Sequence, residues 1–472
     1  MNASAHIDPM AKGIANTEMQ AIVSSSVLEH AYISHLMALG SDYPVYATTA
    51  LKGAAGETIA DSGMKLDEVA LQVLDATNFK LPVFAVVSLG NELTAEQLYL
   101  DIMQTINEDV SLKEIATLHL DSNIMQACCK LLCRYAILRQ HLTVMRARLP
   151  ATYTQSIFCA WLSTIIYQQM NKAGPEIGSL FIAGMCHDIG MLHINPQIPT
   201  AKRKLTAAEW LEVKTHTKIG CGILSMVKGL PRDVSIAVQD HHELPDGTGY
   251  PKGKVARDIS SWGQLIQLLD SVYAVYRKHH NQSQRTLGDL IPVIKVNLDN
   301  RYTEAGRVLI ALLEPTASKE PAVPIAAMPA FIDTVKCSLG YTLACADILQ
   351  ECLTSFGYTH GNRAIHLLQN SMIHIVATIE RSGVINEGYV RFLDVVSSEK
   401  LSDKYREIEQ SYLMDKEVLF HIEKLRRYIW QFVVAQKESV LGQKLTQCLM
   451  ILDELPDPPV SAELEELWIV KY

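Results

Sequence analysis

Between Met185 and Asp270, four short segments put histidines and aspartates on the apolar faces of successive helix-periodic stretches. They are Met185-Cys-His-Asp-Ile-Gly190, Lys214-Thr-His216, Asp240-His-His-Glu243 and Leu268-Leu-Asp270. In the first, Ile177, Leu180, Phe181 and Gly184 lead to His187 and Asp188, and Gly190 is expected to end the helix. Thr206 and Glu209 form a capping box, with Leu205 and Trp210 flanking it at hydrophobic-staple spacing. That start opens an apolar stripe through Val213, His216, Gly220, Ile223, Leu224 and Val227. Val234 and Val238 share a face with His241, while Leu265, Ile266, Leu269 and Tyr273 surround Asp270. One histidine on such a face is more often a core residue than a ligand. Buried aspartates among several histidines are different, because an ionised carboxylate without a cation or donor is costly to bury. A metal compensates best, and imidazole with carboxylate suits a transition ion.

The rest of the chain bounds this reading. At 472 residues, 48% apolar and 20% charged, it has the length for two or three domains. Its apolar stretches are too interrupted to span a bilayer, and Met1–Gly13 lacks the pattern of a secretory signal, so the expected compartment is the cytoplasm, without a membrane partner. The ten cysteines are scattered without a CxxC pair and read as reduced core thiols. A net charge of −9 argues against a nucleic-acid polymer as partner. The runs YPVYATTAL and LPVFAVVSL, separated by turn glycines and a helical pattern, suggest a small module of two or three strands and a helix. From Thr94 onward the sequence is helix-periodic. The expected fold is mainly α, with a small N-terminal α/β module. The expected divisions are an N-terminal regulatory or docking region at 1–140, a metal-binding helical domain at 141–300 and a helical extension at 301–472. The tail Glu463–Tyr472, after a proline-rich break, carries no legible role.

After the double histidine comes a loop, His241-His-Glu-Leu-Pro-Asp-Gly-Thr-Gly-Tyr-Pro251, whose glycines allow a tight path and whose Pro251 fixes the exit. With HDIG at His187–Gly190, the segment from Lys204 to Gly220, and Asp270, this stretch resembles the HD-GYP family, metal-dependent phosphodiesterases of bacterial cyclic di-GMP signalling. The resemblance covers about a quarter of the chain and implies an HD-type helical bundle that hydrolyses cyclic di-GMP with two divalent transition metals, iron or manganese. It implies that His187, Asp188 and Asp270 serve one metal and His216, His241 and His242 the other. Asp188 would bridge the two as the catalytic centre. Gly249, Tyr250 and Pro251 would form the substrate loop, which in the family is implicated in meeting diguanylate cyclase (GGDEF) proteins. The C-terminal helices are candidates for a homodimer contact.

Two positions depart from the family. Where it usually has a histidine in a YTHS-like segment, this chain reads Tyr153-Thr-Gln-Ser156, which makes Gln155 a seventh candidate ligand. Its face continues through Phe158, Cys159, Leu162 and Ile166. Met191 stands where active members commonly have lysine, which can offer charge to a phosphate. The basic run Lys202, Arg203 and Lys204 reads as a solvated surface. These departures motivate a second reading, a degenerate effector that binds cyclic di-GMP or a partner without turnover. A third, a different HD-superfamily phosphohydrolase acting on another nucleotide, is disfavoured by the double histidine and the loop.

Overall fold

The computed structural model describes residues 26–456 and 458, except 54–55, 77–80, 173, 284, 299–302, 357–362 and 436–438. The expectations for Met1–Gly13 and for Glu463–Tyr472 lie outside the described residues. After α1 (Ser26–Met37) come β1 (Val45–Ala47), β2 (Leu51–Lys52), β3 (Thr58–Ala60) and β4 (Lys65–Leu66), then α2 (Glu68–Ala76), α3 (Val83–Val86) and β5 (Val87–Leu89). β1 lies between β4 and β5, antiparallel to both, with Val45 opposite Leu66 and Leu89; β2 and β3 form a separate two-stranded ladder. LPVFAVVSL is thus only partly strand. Pro82, with φ −59°, leads into the helical turn α3 before the chain extends.

The remainder is helical. α4 (Ala95–Asn107), α5 (Val110–His119) and α6 (Ser122–Leu132) start at Thr94, Asp109 and Asp121, whose side chains each accept from backbone N–H groups of the first turn. α7 (Ala136–Arg148) then leads through Leu149 to α8 (Pro150–Gln169), where Pro150 occupies a first-turn position whose N–H has no helical partner. Phe158, Trp161, Leu162 and Ile165 bury the centre of α8. Against it lies α9 (Glu176–Cys186), so close that a Cβ on Gly184 would come within 2.6 Å of the Ala160 Cα.

α10 (Ala207–Val213), α11 (His216–Ser225), α12 (Arg232–Asp240) and α13 (Ser261–Ser283) complete the central bundle. One continuous core runs from Tyr32 through these helices to Leu313, joining the strand module to the bundle. α14 (Ile291–Asn297) and α15 (Thr303–Leu313) precede α16 (Met328–Phe356), α17 (Arg363–Ser382), α18 (Glu387–Glu399), α19 (Tyr405–Ala435) and α20 (Val440–Glu454). These last five enclose a second core around Phe331, Leu339, Met372, Ile408 and Ile429. Asn297 at the end of α14 donates to Glu417 (2.8 Å) and meets His421 (2.9 Å), pinning α19 to the bundle. No helix among the described residues is long and apolar enough to cross a membrane.

Two local expectations are corrected. The Thr206 capping box forms as read, but the stretch through Val227 is two helices broken at Lys214 and Thr215, so His216 opens α11. Gly190 does not end α9. The helix stops at His187, and Gly190 lies in a 3₁₀ turn, Ile189–His193, where a Cβ would come within 2.1 Å of the His216 carbonyl oxygen. That glycine lets two ligand-bearing segments touch.

Candidate metal centre

All six histidines and aspartates singled out above converge on one point between α8, α9, α11, α12 and α13. His187 caps the C-terminus of α9, and Asp188 follows with φ −102° and ψ 13°, which turns its carboxylate away from the helix line. Its Oδ1 lies 3.2 Å from His216 Nε2 and 3.7 Å from His241 Nε2, while Oδ2 lies 3.5 Å from His187 Nε2. Asp270, in the middle of α13, brings Oδ1 to 3.6 Å from His187 Nε2. The His242 ring lies 4.1 Å from that of His241 between centroids, tilted by 43°.

The ring orientations are set locally. Nδ1 of His187, His216 and His241 lies 2.8, 2.6 and 2.6 Å from the carbonyl oxygens of Gly184, Val213 and Val238, each three residues earlier. A carbonyl only accepts, so Nδ1 carries the proton and Nε2 presents its lone pair inward. Yet the His216 and His241 Nε2 atoms are only 3.3 Å apart, and the buried His187 Nε2 has no hydrogen-bond partner. Facing lone pairs and an unpartnered His187 nitrogen beside two carboxylates fit a bound cation, and backbone-anchored imidazoles are the usual support of metal-ligating histidines. Two groups could each hold an ion: Asp188, His216, His241 and His242, and separately Cys159, His187 and Asp270.

Electrostatics agree with that chemistry. Burial would raise Asp188, but the charge of His187 and the nearby His216 and His241 rings hold it well below the carboxylate range. Asp270 is likewise lowered against its burial, chiefly by His187. Burial lowers His241 and His242, the latter strongly, keeping both imidazoles neutral. Burial also works to lower His187, but Asp188 and Asp270 outweigh it and raise it to about 9. Metal loading must therefore displace a proton there.

Gln155 sits at the same centre, but its side-chain amide donates to Asp270 Oδ1. Met191 is half-buried against the core. Arg203 pairs with Glu209 at the surface, in keeping with a solvated basic run. The loop after His242 is held from inside by Glu243, whose carboxylate accepts from the backbone N–H groups of Lys252 (2.6 Å) and Lys254 (2.7 Å). Buried Asp240 accepts from Lys254 Nζ at 2.6 Å. Gly249 packs where a Cβ would come within 2.2 Å of the Leu244 nitrogen, and the Tyr250 ring comes to 4.8 Å from His242. The Tyr250–Pro251 peptide is cis.

His242 and Tyr250 also line a cavity of about 1670 Å³ between the bundle and the C-terminal helices. Lys214, standing 5.7 Å above the Tyr250 ring, lines it from the bundle, and Arg381, Lys424 and Arg427 line it from α17 and α19. Trp210, expected to staple a helix start, lies half-exposed on its wall. Ser371 of α17 donates to Asp246 of the loop at 3.2 Å. Sequence reasoning missed the C-terminal wall of this cavity, because its residues carry no local pattern. It also counted Cys159 among the core thiols.

A helical bundle with buried, backbone-anchored histidines and aspartates is the architecture of a metal-binding HD domain. Residues 135–305 match the HD domain family. A cyclic di-GMP phosphodiesterase of Thermotoga maritima is 33% identical over 129 residues, 27% of this chain and 35% of the relative. One of Pseudomonas aeruginosa is 30% identical over 141 residues, 28% of this chain and 33% of the relative. A 3'3'-cGAMP-specific phosphodiesterase of Vibrio cholerae is 28% identical over 117 residues, 25% of this chain and 27% of the relative. The chain thus spans about a third or less of the length of these relatives. With these likenesses, its HDIG segment and its GYP loop, the central domain belongs to the HD-GYP family.

Proposed function

We propose that this domain is a metal-dependent phosphodiesterase that hydrolyses cyclic di-GMP. The observation that carries the reading is the opening of the ligand cluster, through His242 and Tyr250, onto a cavity rimmed by Lys214, Arg381, Lys424 and Arg427. A volume near 1670 Å³ exceeds the usual small-ligand pocket of roughly 300–1,000 Å³ and suits a dinucleotide. Basic side chains on opposite walls complement a ligand with two phosphates.

His187 and Asp270 would hold one metal and His216, His241 and His242 the other, with the Asp188 carboxylate within reach of both groups. When bound, such ions, iron or manganese, activate water and neutralise charge developing on the phosphoryl oxygens. The chain's own contribution is positional. The Gly184, Val213 and Val238 carbonyls lock three rings, Gln155 orients Asp270, and the apolar helices exclude bulk water, which strengthens every charge interaction inside. Tyr250 and Gly249 form the cavity side of the loop that positions the dinucleotide. The loop's Asp246 is engaged by α17, so a diguanylate cyclase partner would meet the loop beyond that contact.

The test is chromatographic product analysis with cyclic di-GMP and, separately, 3'3'-cGAMP, under manganese and anaerobic ferrous iron, with an Asp188→Ala control. Turnover of cyclic di-GMP that vanishes in the control is the expected result; preference for 3'3'-cGAMP would change the substrate. A second reading, an effector that binds without turnover, is favoured by one contact: Gln155 spends its amide on Asp270 instead of offering a ring nitrogen. Binding without products, with activity gained by Gln155→His plus Met191→Lys, would select it.

A further inference from the structure

Cys159 lies one helical turn beyond Gln155 on the same face of α8, and it is fully buried. Its Sγ, a ring nitrogen of His187 and a carboxylate oxygen of Asp270 all lie within 4.8 Å of one another. His187, whose buried Nε2 lacks a hydrogen-bond partner, belongs to this group. Gln155 meanwhile donates to Asp270, so it orients a ligand and presents no lone pair from its amide nitrogen. We propose that Cys159 is itself a ligand of the His187–Asp270 site, supplying from the next turn of α8 the donor that Gln155 does not.

The chemistry of the donors supports this assignment, which rests on the metal-dependent reading of the cluster. Ligand atoms of one tetrahedral ion sit roughly 3.5 Å apart, given metal–sulfur and metal–nitrogen bonds of about 2.3 and 2.0 Å, so side-chain adjustment alone closes the group. A thiolate and the Asp270 carboxylate together neutralise a divalent charge, with His187 as the neutral third donor. A nitrogen, oxygen and sulfur set is softer than one of imidazoles and carboxylates, and it moves preference toward zinc, cobalt or ferrous iron and away from manganese and magnesium. The alternative is an inert core thiol like Cys186 or Cys345, neither of which belongs to a ligand group among the described residues.

The test uses the full chain, loaded anaerobically with cobalt(II) and read by absorption. The expected result is a thiolate-to-cobalt charge-transfer band in the near ultraviolet that is lost in Cys159→Ser, with loss of the metal equivalent of that site, and retained in Cys345→Ser. Cobalt bound without the band, or a band that survives in Cys159→Ser, overturns the assignment while leaving the metal reading intact. Failure to bind any metal overturns both. Should Cys159→Ser not fold, X-ray absorption on the zinc-loaded wild-type protein decides the matter: a sulfur neighbour at about 2.3 Å supports the assignment, and a shell of only nitrogen and oxygen refutes it.

Discussion

Among the described residues, two groups of buried histidines differ in what their protons can do. Beneath the N-terminal module, His141 and His193 stack with Tyr32, and their Nε2 atoms are 3.2 Å apart. In the metal centre His216 and His241 bring the same atoms to 3.3 Å. His141 Nδ1 donates to the Ile137 carbonyl, so its Nε2 accepts, and His193 satisfies it by carrying its proton on Nε2. His216 and His241 both spend Nδ1 on carbonyls, so neither can donate to the other. Asp188 stands beside that pair. The contrast teaches that burial and ring proximity do not make a metal site. Anchored tautomers and neighbouring carboxylates do.

The strongest way to break the contrast is to remove the carboxylate that touches both ligand groups. Asp188→Ala is expected to abolish turnover, on the order of 10³-fold or more, and to release metal from both groups, measured by kinetics and metal analysis. An active variant with full metal content would show that the two groups are independent of Asp188.

Acidity sets His187 apart from the histidines beneath the N-terminal module. Burial lowers His141 to about 4, and burial with Arg148 lowers His35 to about 4. Between pH 6.5 and 4 the unfolded chain binds more protons at these positions, so stability falls as the pH falls through that window, on the order of 3 kcal/mol per group in full. His187 in the metal-free protein behaves oppositely. Raised from 6.5 to about 9, it contributes stability that is present below 6.5 and lost as the pH rises through about 9. Urea unfolding of chelator-treated protein across pH 4–9 is therefore expected to peak near pH 6.5. A curve flat below pH 6 would mean that the buried histidines are already solvated.

Gln155 sharpens the comparison within the centre itself. Gln155→Leu removes the donor that fixes Asp270, and the affinity of that metal position is expected to fall about 10–100-fold, read by chelator competition, while the three-histidine position keeps its ion. Equal weakening of both positions would indicate one cooperative site.

The centre was legible in the sequence because its ligands sit at helix-periodic positions. The stripe through His216, the pair Val234 and Val238 beneath His241, and the residues around Asp270 are all buried as read. Cys159 was named on the face of Gln155, but a lone cysteine in an apolar run looks the same whether it packs or ligates; only the fold brings His187 and Asp270 to it. The role of Gly190 was misread because a glycine after a histidine is the common sign of a helix end, whereas this one is set by a contact twenty-six residues away, with His216. The cavity wall from α17 and α19 was illegible because Arg381, Lys424 and Arg427 acquire their meaning from a packing contact between two cores. The strand module was legible as β-rich, but Pro82 converted part of one run to a helical turn.

The smallest expected effect is the sharpest control. His141→Leu removes the acceptor for the His193 proton and the donor to Ile137, and it leaves a buried polar group unsatisfied, which costs about 1–3 kcal/mol. Because the stack has no neighbouring carboxylate in a ligand group, metal content and the pH profile of turnover are expected to stay unchanged while the thermal midpoint drops. A loss of metal in this variant would show that the stack supports the centre through the 3₁₀ turn Ile189–His193, which links Asp188 to His193. The two histidine groups would then be one unit, no longer separated by their tautomers and neighbouring carboxylates.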